Sequence, residues 1–165
     1  MRWFHKEKKI EINNVEPYTL YAPMKGKLIP LESVDDMVFS SKMMGDGIAI
    51  EPIDGKIFSP VNGEITVMFP TGHVIGIKSE TGINVILHIG IDTVELNGEG
   101  FQPLIHIGDH VCAGELLMKV NLRTIQKKYA ATTMMVIENS QEFRFIQKET
   151  GEIEPGKQVL EIARV

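Results

Sequence analysis

Glycine and proline break this chain at short intervals, and the stretches between them are rich in Ile, Val, Phe and Thr with apolar and polar residues in alternation. Side chains of an extended strand point to opposite faces in turn, so such stretches bury one face only as strands, and the breaks keep each strand short. The expectation is a mostly β protein of many short strands, with one short helix over Leu122 to Lys128, where Leu, Ile, Gln and Lys favour it. The clearest alternation puts Ile83, Val85, Leu87, Ile89 and Ile91 on one face, predicted as core, and Asn84, Ile86, His88, Gly90 and Asp92 on the other. His88 is thereby expected to be presented rather than buried.

Two internal similarities fit this reading. Ala22-Pro23-Met24-Lys25-Gly26-Lys27-Leu28-Ile29 parallels Ser59-Pro60-Val61-Asn62-Gly63-Glu64-Ile65-Thr66, each a proline, a turn glycine and a strand, which predicts two related hairpin-like units. The run from Gly108 to Leu117 is echoed by Gly156 to Ile162, each a turn glycine opening a strand. Residues 1–17 read as a mobile N-terminal tail and residues 18–165 as one domain. In the tail, Trp3, Phe4 and Ile10 interleave with Arg2, Lys6, Lys8 and Lys9, which fits either a solvated terminus or a basic amphipathic element resting on an anionic membrane. At about 1 kcal/mol per basic residue, that membrane contact would be weak and salt-sensitive.

The 165 residues with 43% hydrophobic content suffice for one compact core. A net charge of −5 and a pI near 5.5 argue against nucleic-acid binding. The single cysteine, Cys112, excludes an internal disulfide and a cysteine-based zinc site, is expected as a small buried hydrophobe, and suits a reducing, cytoplasmic setting. The charged first ten residues are unlike a signal peptide, and no apolar run approaches the roughly 20 residues of a spanning helix.

No phosphate-binding loop, dinucleotide fingerprint or nucleophile elbow is present, which leaves the histidines as carriers of chemistry. His5 lies in the tail, and His106 and His110 flank the Gly108 turn and are expected to be exposed. His73 and His88 remain. A histidine acts as a covalent nucleophile when one ring nitrogen is held by a hydrogen bond and the other is free. The Gly90 carbonyl can hold His88 in that way, while His73, oriented by Thr71, can donate to phosphoryl oxygens; loose phosphoryl transfer asks for little more. Taken singly, each has a plainer reading: His73 structural, Thr71 a turn residue, Asp92 a strand-end cap, Glu95 and Glu99 solvated. Met37-Val38-Phe39 and Met43-Met44-Gly45-Asp46-Gly47 are either core or an adaptable apolar rim that keeps a phosphohistidine dry for docking partners.

The motifs from Ala22-Pro23 through Asp36-Met37-Val38-Phe39, Gly45-Asp46-Gly47-Ile48-Ala49-Ile50, Ser59-Pro60-Val61-Asn62-Gly63, Thr71-Gly72-His73 and His88 to Phe101 resemble the glucose-type enzyme IIA family of the bacterial phosphoenolpyruvate-dependent sugar phosphotransferase system. The resemblance implies an all-β, antiparallel sandwich or barrel-like fold, the duplicated hybrid motif, with short helical turns. It implies His88 as phosphoacceptor with His73 beside it, and a phosphoryl group that arrives from the histidine phosphocarrier HPr and leaves to a cysteine of a sugar-specific EIIB domain. Val38, Phe39, Phe69, Ile86 and Val94 match the family's docking surface, and Met37, Met43 and Met44 are expected to extend it. Ile86 and Ile89 stand where relatives often carry aromatic residues, which bears on partner preference. No cofactor is required; in some members a zinc ion bridges the histidine pair, here His73 and His88, to a partner, and some unphosphorylated members bind permeases or glycerol kinase. A carrier offering one face to several partners is expected to work as a monomer.

Two rivals exist. His88-Ile89-Gly90-Ile91-Asp92 has the His-x-x-x-Asp spacing of a zinc hydrolase, but a third ligand and the His-x-His signature are missing. A lipoyl- or biotinyl-type carrier would need a modified lysine in a hairpin, and Met118-Lys119-Val120 is the nearest approach.

Overall fold

The structure, a computed structural model, describes residues 9–165. In chain order the elements are β1 (Thr19–Tyr21), β2 (Gly26–Pro30), α1 (Met37–Ser40), β3 (Asp46–Pro52), β4 (Lys56–Phe58), β5 (Gly63–Met68), β6 (Val74–Ser79), β7 (Asn84–Ile89), β8 (Phe101–Pro103), β9 (His110–Val111), β10 (Leu116–Val120), α2 (Leu122–Gln126), β11 (Thr133–Ile137), β12 (Phe143–Lys148), β13 (Gly151–Ile153) and β14 (Gln158–Arg164). The strands form an eight-stranded sheet in the order β13-β2-β3-β11-β7-β6-β5-β9 and two three-stranded sheets, β1-β14-β12 and β4-β10-β8. Every pairing is antiparallel, as expected.

The large sheet buries both faces over its centre. One face, carrying Ile48, Ile50, Ile75, Ile77, Val85, Leu87, Ile89, Met135 and Ile137, packs with Met118, Val159 and Leu160 into the main core. The other face carries Ala49, Val74, Ile86, Met134 and Val136 and is covered by Leu31, Val34 and Phe39 in a smaller cluster. Ile86, which alternation placed on the non-core face, is therefore buried too. Ile91 does not continue the core face: Gly90 turns the chain at φ +80°, and Ile91 lies half-buried against the smaller cluster.

The internal similarity is structural. β2 opens at Gly26 opposite Pro52 of β3, and β5 opens at Gly63 opposite Ser79 of β6. The prolines bond reciprocally: Tyr21 N–H donates to the Pro60 carbonyl (3.0 Å) and Phe58 N–H to the Pro23 carbonyl (2.7 Å). The second similarity has a different register from the expected one. Gly114 donates to the Ser59 carbonyl (2.8 Å) and Gly156 to the Ala22 carbonyl (3.0 Å), so Gly114, not Gly108, is the counterpart of Gly156.

Three other expectations are corrected. The tail expected over residues 1–17 is docked from Ile10 onward: Ile10 N–H donates to the Gly114 carbonyl (2.8 Å), and the Ile10 side chain lies over Gly156. Trp3, Phe4 and the basic residues up to Lys8 lie outside the described residues. Cys112 is exposed rather than buried: β9 ends at Val111, and in the turn that follows Cys112 faces solvent while Ala113 is buried. The helix begins at Leu122, capped by Asn121 accepting from Thr124 N–H (3.1 Å), and ends at Gln126, short of Lys128.

The two glycines opening β2 and β5 admit no side chain, since a Cβ would come within 2.2 Å of the Glu51 carbonyl oxygen at Gly26 and 2.3 Å of that of Lys78 at Gly63. Gly26→Ala and Gly63→Ala are each expected to cost about 1–3 kcal/mol by forcing paired strands apart. Denaturant titration should show a lower midpoint with an unchanged slope, and wild-type midpoints would contradict the close approach.

Candidate functional site

His88 is the penultimate residue of β7 and shares the outer face with Ile86, paired laterally with Met134 of β11 and Val74 of β6. Its ring is packed from below by apolar side chains and left half-buried. A Cβ on Gly90 would come within 2.3 Å of Thr93 Cγ2, so the positive-φ turn there accepts only glycine. The turn places the Gly90 carbonyl 2.9 Å from His88 Nδ1. A carbonyl can only accept, so Nδ1 carries the proton and the neutral ring keeps its lone pair on Nε2. Thr93 hydroxyl donates to the Ile89 carbonyl and secures the same turn.

His73 precedes β6 directly, after the Phe69–Gly72 turn, and is 4% exposed. Its Nδ1 lies 2.7 Å from Thr71 Oγ1, and its carbonyl accepts from Ile89 N–H (2.8 Å), which ties the two histidine-bearing strands together. The rings of His73 and His88 meet edge to face with centroids 5.3 Å apart. Phe39 stands 4.8 Å from His88 and Phe69 5.4 Å from His73, centroid to centroid.

The histidines open into a cavity of about 330 Å³. Val38, Met44, Phe69 and Val94 form its exposed rim, while Phe39 and Ile86 are buried and form its floor. Met37 and Met43 are exposed beside the rim but do not line the cavity. Asp92 lines it from a left-handed backbone position (φ +62°) opening the turn Thr93–Leu96, without a capping bond from its side chain. A larger cavity of about 660 Å³, between Ile53–Gly55 and Lys119–Leu122, contains no histidine or cysteine, so size alone does not mark the chemistry.

The rim is held by local devices. Asp36 caps α1 by accepting from Val38 N–H (3.0 Å) and lines the cavity, a further site residue whose signal in the sequence is an acidic residue directly before the apolar run. The turn carrying Met43 and Met44 is closed by Gly45 N–H donating to the Lys42 carbonyl (3.0 Å), and at its end the Asp46 carboxylate accepts from Gly47 N–H (2.8 Å) and, from a distant strand, Lys148 Nζ (2.7 Å). Val74 and Thr93 also line the cavity, and nothing in their local sequence distinguished them. His106 and His110 are exposed, as expected, near Asp109 and Glu64 respectively and apart from the cavity. Glu95 and Glu99 are exposed as well.

Burial holds both histidines below the ordinary value of 6.5. For His88 the Gly90 carbonyl, Asp36 and Asp92 oppose that lowering, while for His73 the neighbouring His88 adds to it. Both rings are thus neutral at neutral pH, which a nucleophilic nitrogen requires. Among the described residues no three His, Cys, Asp or Glu side chains gather where they could hold a metal ion, so the zinc-hydrolase reading of His88 and Asp92 is unsupported.

An NMR pH titration should show two histidine rings with midpoints below 6.5, assigned by loss in His73→Gln and His88→Gln. Asp36→Asn and Asp92→Asn should each move the His88 midpoint lower still, and no movement would remove the carboxylates from the electrostatics of the site. The unfolded chain binds protons on these rings more readily, so stability should decline as pH falls from about 6.5 through the lowered folded-state midpoints and level off below them.

Residues 18–143 match the family described as phosphoenolpyruvate-dependent sugar phosphotransferase system, EIIA 1. The chain is similar to the glucose permease IIA from Mycoplasma capricolum, with 34% sequence identity and a TM-score of 0.83 over 91% of this chain and 96% of that one. The chain therefore belongs to the EIIA 1 family of the phosphoenolpyruvate-dependent sugar phosphotransferase system, a phosphocarrier acting between HPr and an EIIB or permease partner.

Proposed function

We propose that His88 is the phosphoacceptor, through Nε2. The observation that carries this reading is the bond from His88 Nδ1 to the Gly90 carbonyl, which leaves Nε2 as the free nitrogen of a ring that lines the cavity. The Nε2 lone pair attacks the phosphorus of the phosphohistidine in HPr, whose other ring nitrogen carries a proton; the donor's N–P bond breaks with its electron pair going to that ring, which leaves neutral, and His88 keeps its Nδ1–H on Gly90 as a phosphoimidazolium. A cysteine thiolate of the EIIB domain then attacks the same phosphorus and releases His88. No water enters and no cofactor is needed.

His73 stabilises the transferred group. With Thr71 hydroxyl donating to Nδ1, His73 keeps its proton on Nε2 and can donate it to a phosphoryl oxygen. Asp92 tunes the local field, and Val38, Phe39, Met44, Phe69, Ile86 and Val94, flanked by Met37 and Met43, make the partner-facing surface, whose apolar character excludes water from the phosphohistidine. The two histidines would also supply two of zinc's four ligands, with a docked partner providing the rest. No helix of the described residues is long and apolar enough to cross a membrane, and we place the relay in the cytoplasm beside the permease.

Incubation with phosphoenolpyruvate, enzyme I and HPr should add one acid-labile phosphoryl group to wild type and none to His88→Ala, read by intact mass. His73→Ala should accept the group but pass it on about a hundredfold more slowly, the cost typical of losing one transition-state donor. Thr71→Val should fall between the two. A phosphoryl group on His88→Ala would overturn the assignment.

A further inference from the structure

We propose that Met44, with its neighbours Met43 and Met37, is a reversible oxidation site that governs partner docking; this rests on the reading of the His88 cavity as the docking site. The chain holds nine methionines, and their placement is uneven. Met24, Met118, Met134 and Met135 are 0% exposed, whereas Met37, Met43 and Met44 are 79%, 73% and 40% exposed. Among the described residues, where Met68 is half-buried, these three are the exposed thioethers and fall within one short segment, and Met44 lines the cavity beside Val38, Phe39, Phe69 and His88.

A peroxide therefore reaches the rim before it reaches the core. The thioether sulfur attacks one peroxide oxygen, the O–O bond breaks, a sulfoxide S–O bond forms and water leaves, with sulfur oxidised by two electrons and the peroxide reduced. The product replaces a flexible apolar tip by a strongly polar group. A partner that covers Met44 must then desolvate that oxygen without a matching donor, which weakens docking. His88 and its Gly90 carbonyl bond are untouched, so the chemistry of a docked complex is retained. Methionine sulfoxide reductase, drawing on thiol electrons, restores the thioether and with it the rim.

The test treats the full chain with dilute hydrogen peroxide, locates added oxygen by peptide mass analysis, and measures the rate of phosphorylation against the concentration of phosphorylated HPr. Oxidation is expected first at Met37, Met43 and Met44. The half-saturating donor concentration should rise roughly tenfold while the maximal rate changes little, and the reductase should reverse the rise. Met44→Leu, compared with its own untreated form, should lose most of this sensitivity, and Cys112→Ser should keep it. An unchanged donor requirement after rim oxidation, or equal sensitivity of Met44→Leu, would overturn the proposal alone. Failure of the untreated chain to take up phosphoryl would overturn the docking-site reading and this proposal with it.

Discussion

The pairing of β7 with β11 at the centre of the eight-stranded sheet is the constraint from which the rest of the molecule follows. It sets Leu87 opposite Met135 and His88 opposite Met134, and the flanking strands β6 and β3 take their register from it. Because alternate residues face opposite sides, a slip of one residue would drive His88 into the main core and expel Leu87. The apolar side chains on both faces make such a slip costly. The site inherits its accuracy from the sheet.

The smaller cluster gives that register its chemical meaning. A histidine on a solvated strand face would titrate like any surface imidazole, but here Phe39, Val74, Ile86 and Met134 surround His88 from below and beside it. Burial alone would make the ring a poor acceptor of positive charge, and the Gly90 carbonyl, Asp36 and Asp92 work against that lowering. The balance leaves a neutral ring with a defined tautomer. The same apolar surroundings hold the His88 pKa down and form the floor of the cavity beside it.

Much of this was legible in the residues. Period-two alternation marked β7 and its neighbours, the paired proline–glycine motifs marked two halves whose main-chain bonds are reciprocal, and Gly90 and Thr71 sat at the spacing needed to reach the ring nitrogens of His88 and His73. Alternation failed at Ile91 because a left-handed glycine ends the strand before the pattern does. It also undervalued Ile86, since a strand buried on both faces differs little in sequence from one with a single apolar face. Cys112 read as core by residue type, yet its position just past a two-residue strand exposes it.

Local sequence determined the short strands, the turns that only glycine permits, and the backbone carbonyl that sets the tautomer of His88, because each depends on residues within a few positions of one another. Tertiary structure alone decided that the segment carrying Phe39 and Met44 meets the separate segments carrying Phe69 with His73 and His88 with Val94. It alone decided that Ile10 packs on Gly156 and that Lys148 pairs with Asp46 at the end of the turn carrying the rim. Those contacts depend on how three sheets stack over a shared core. Side-chain periodicity describes which face of a strand is apolar but carries no information about which distant segment comes to cover it.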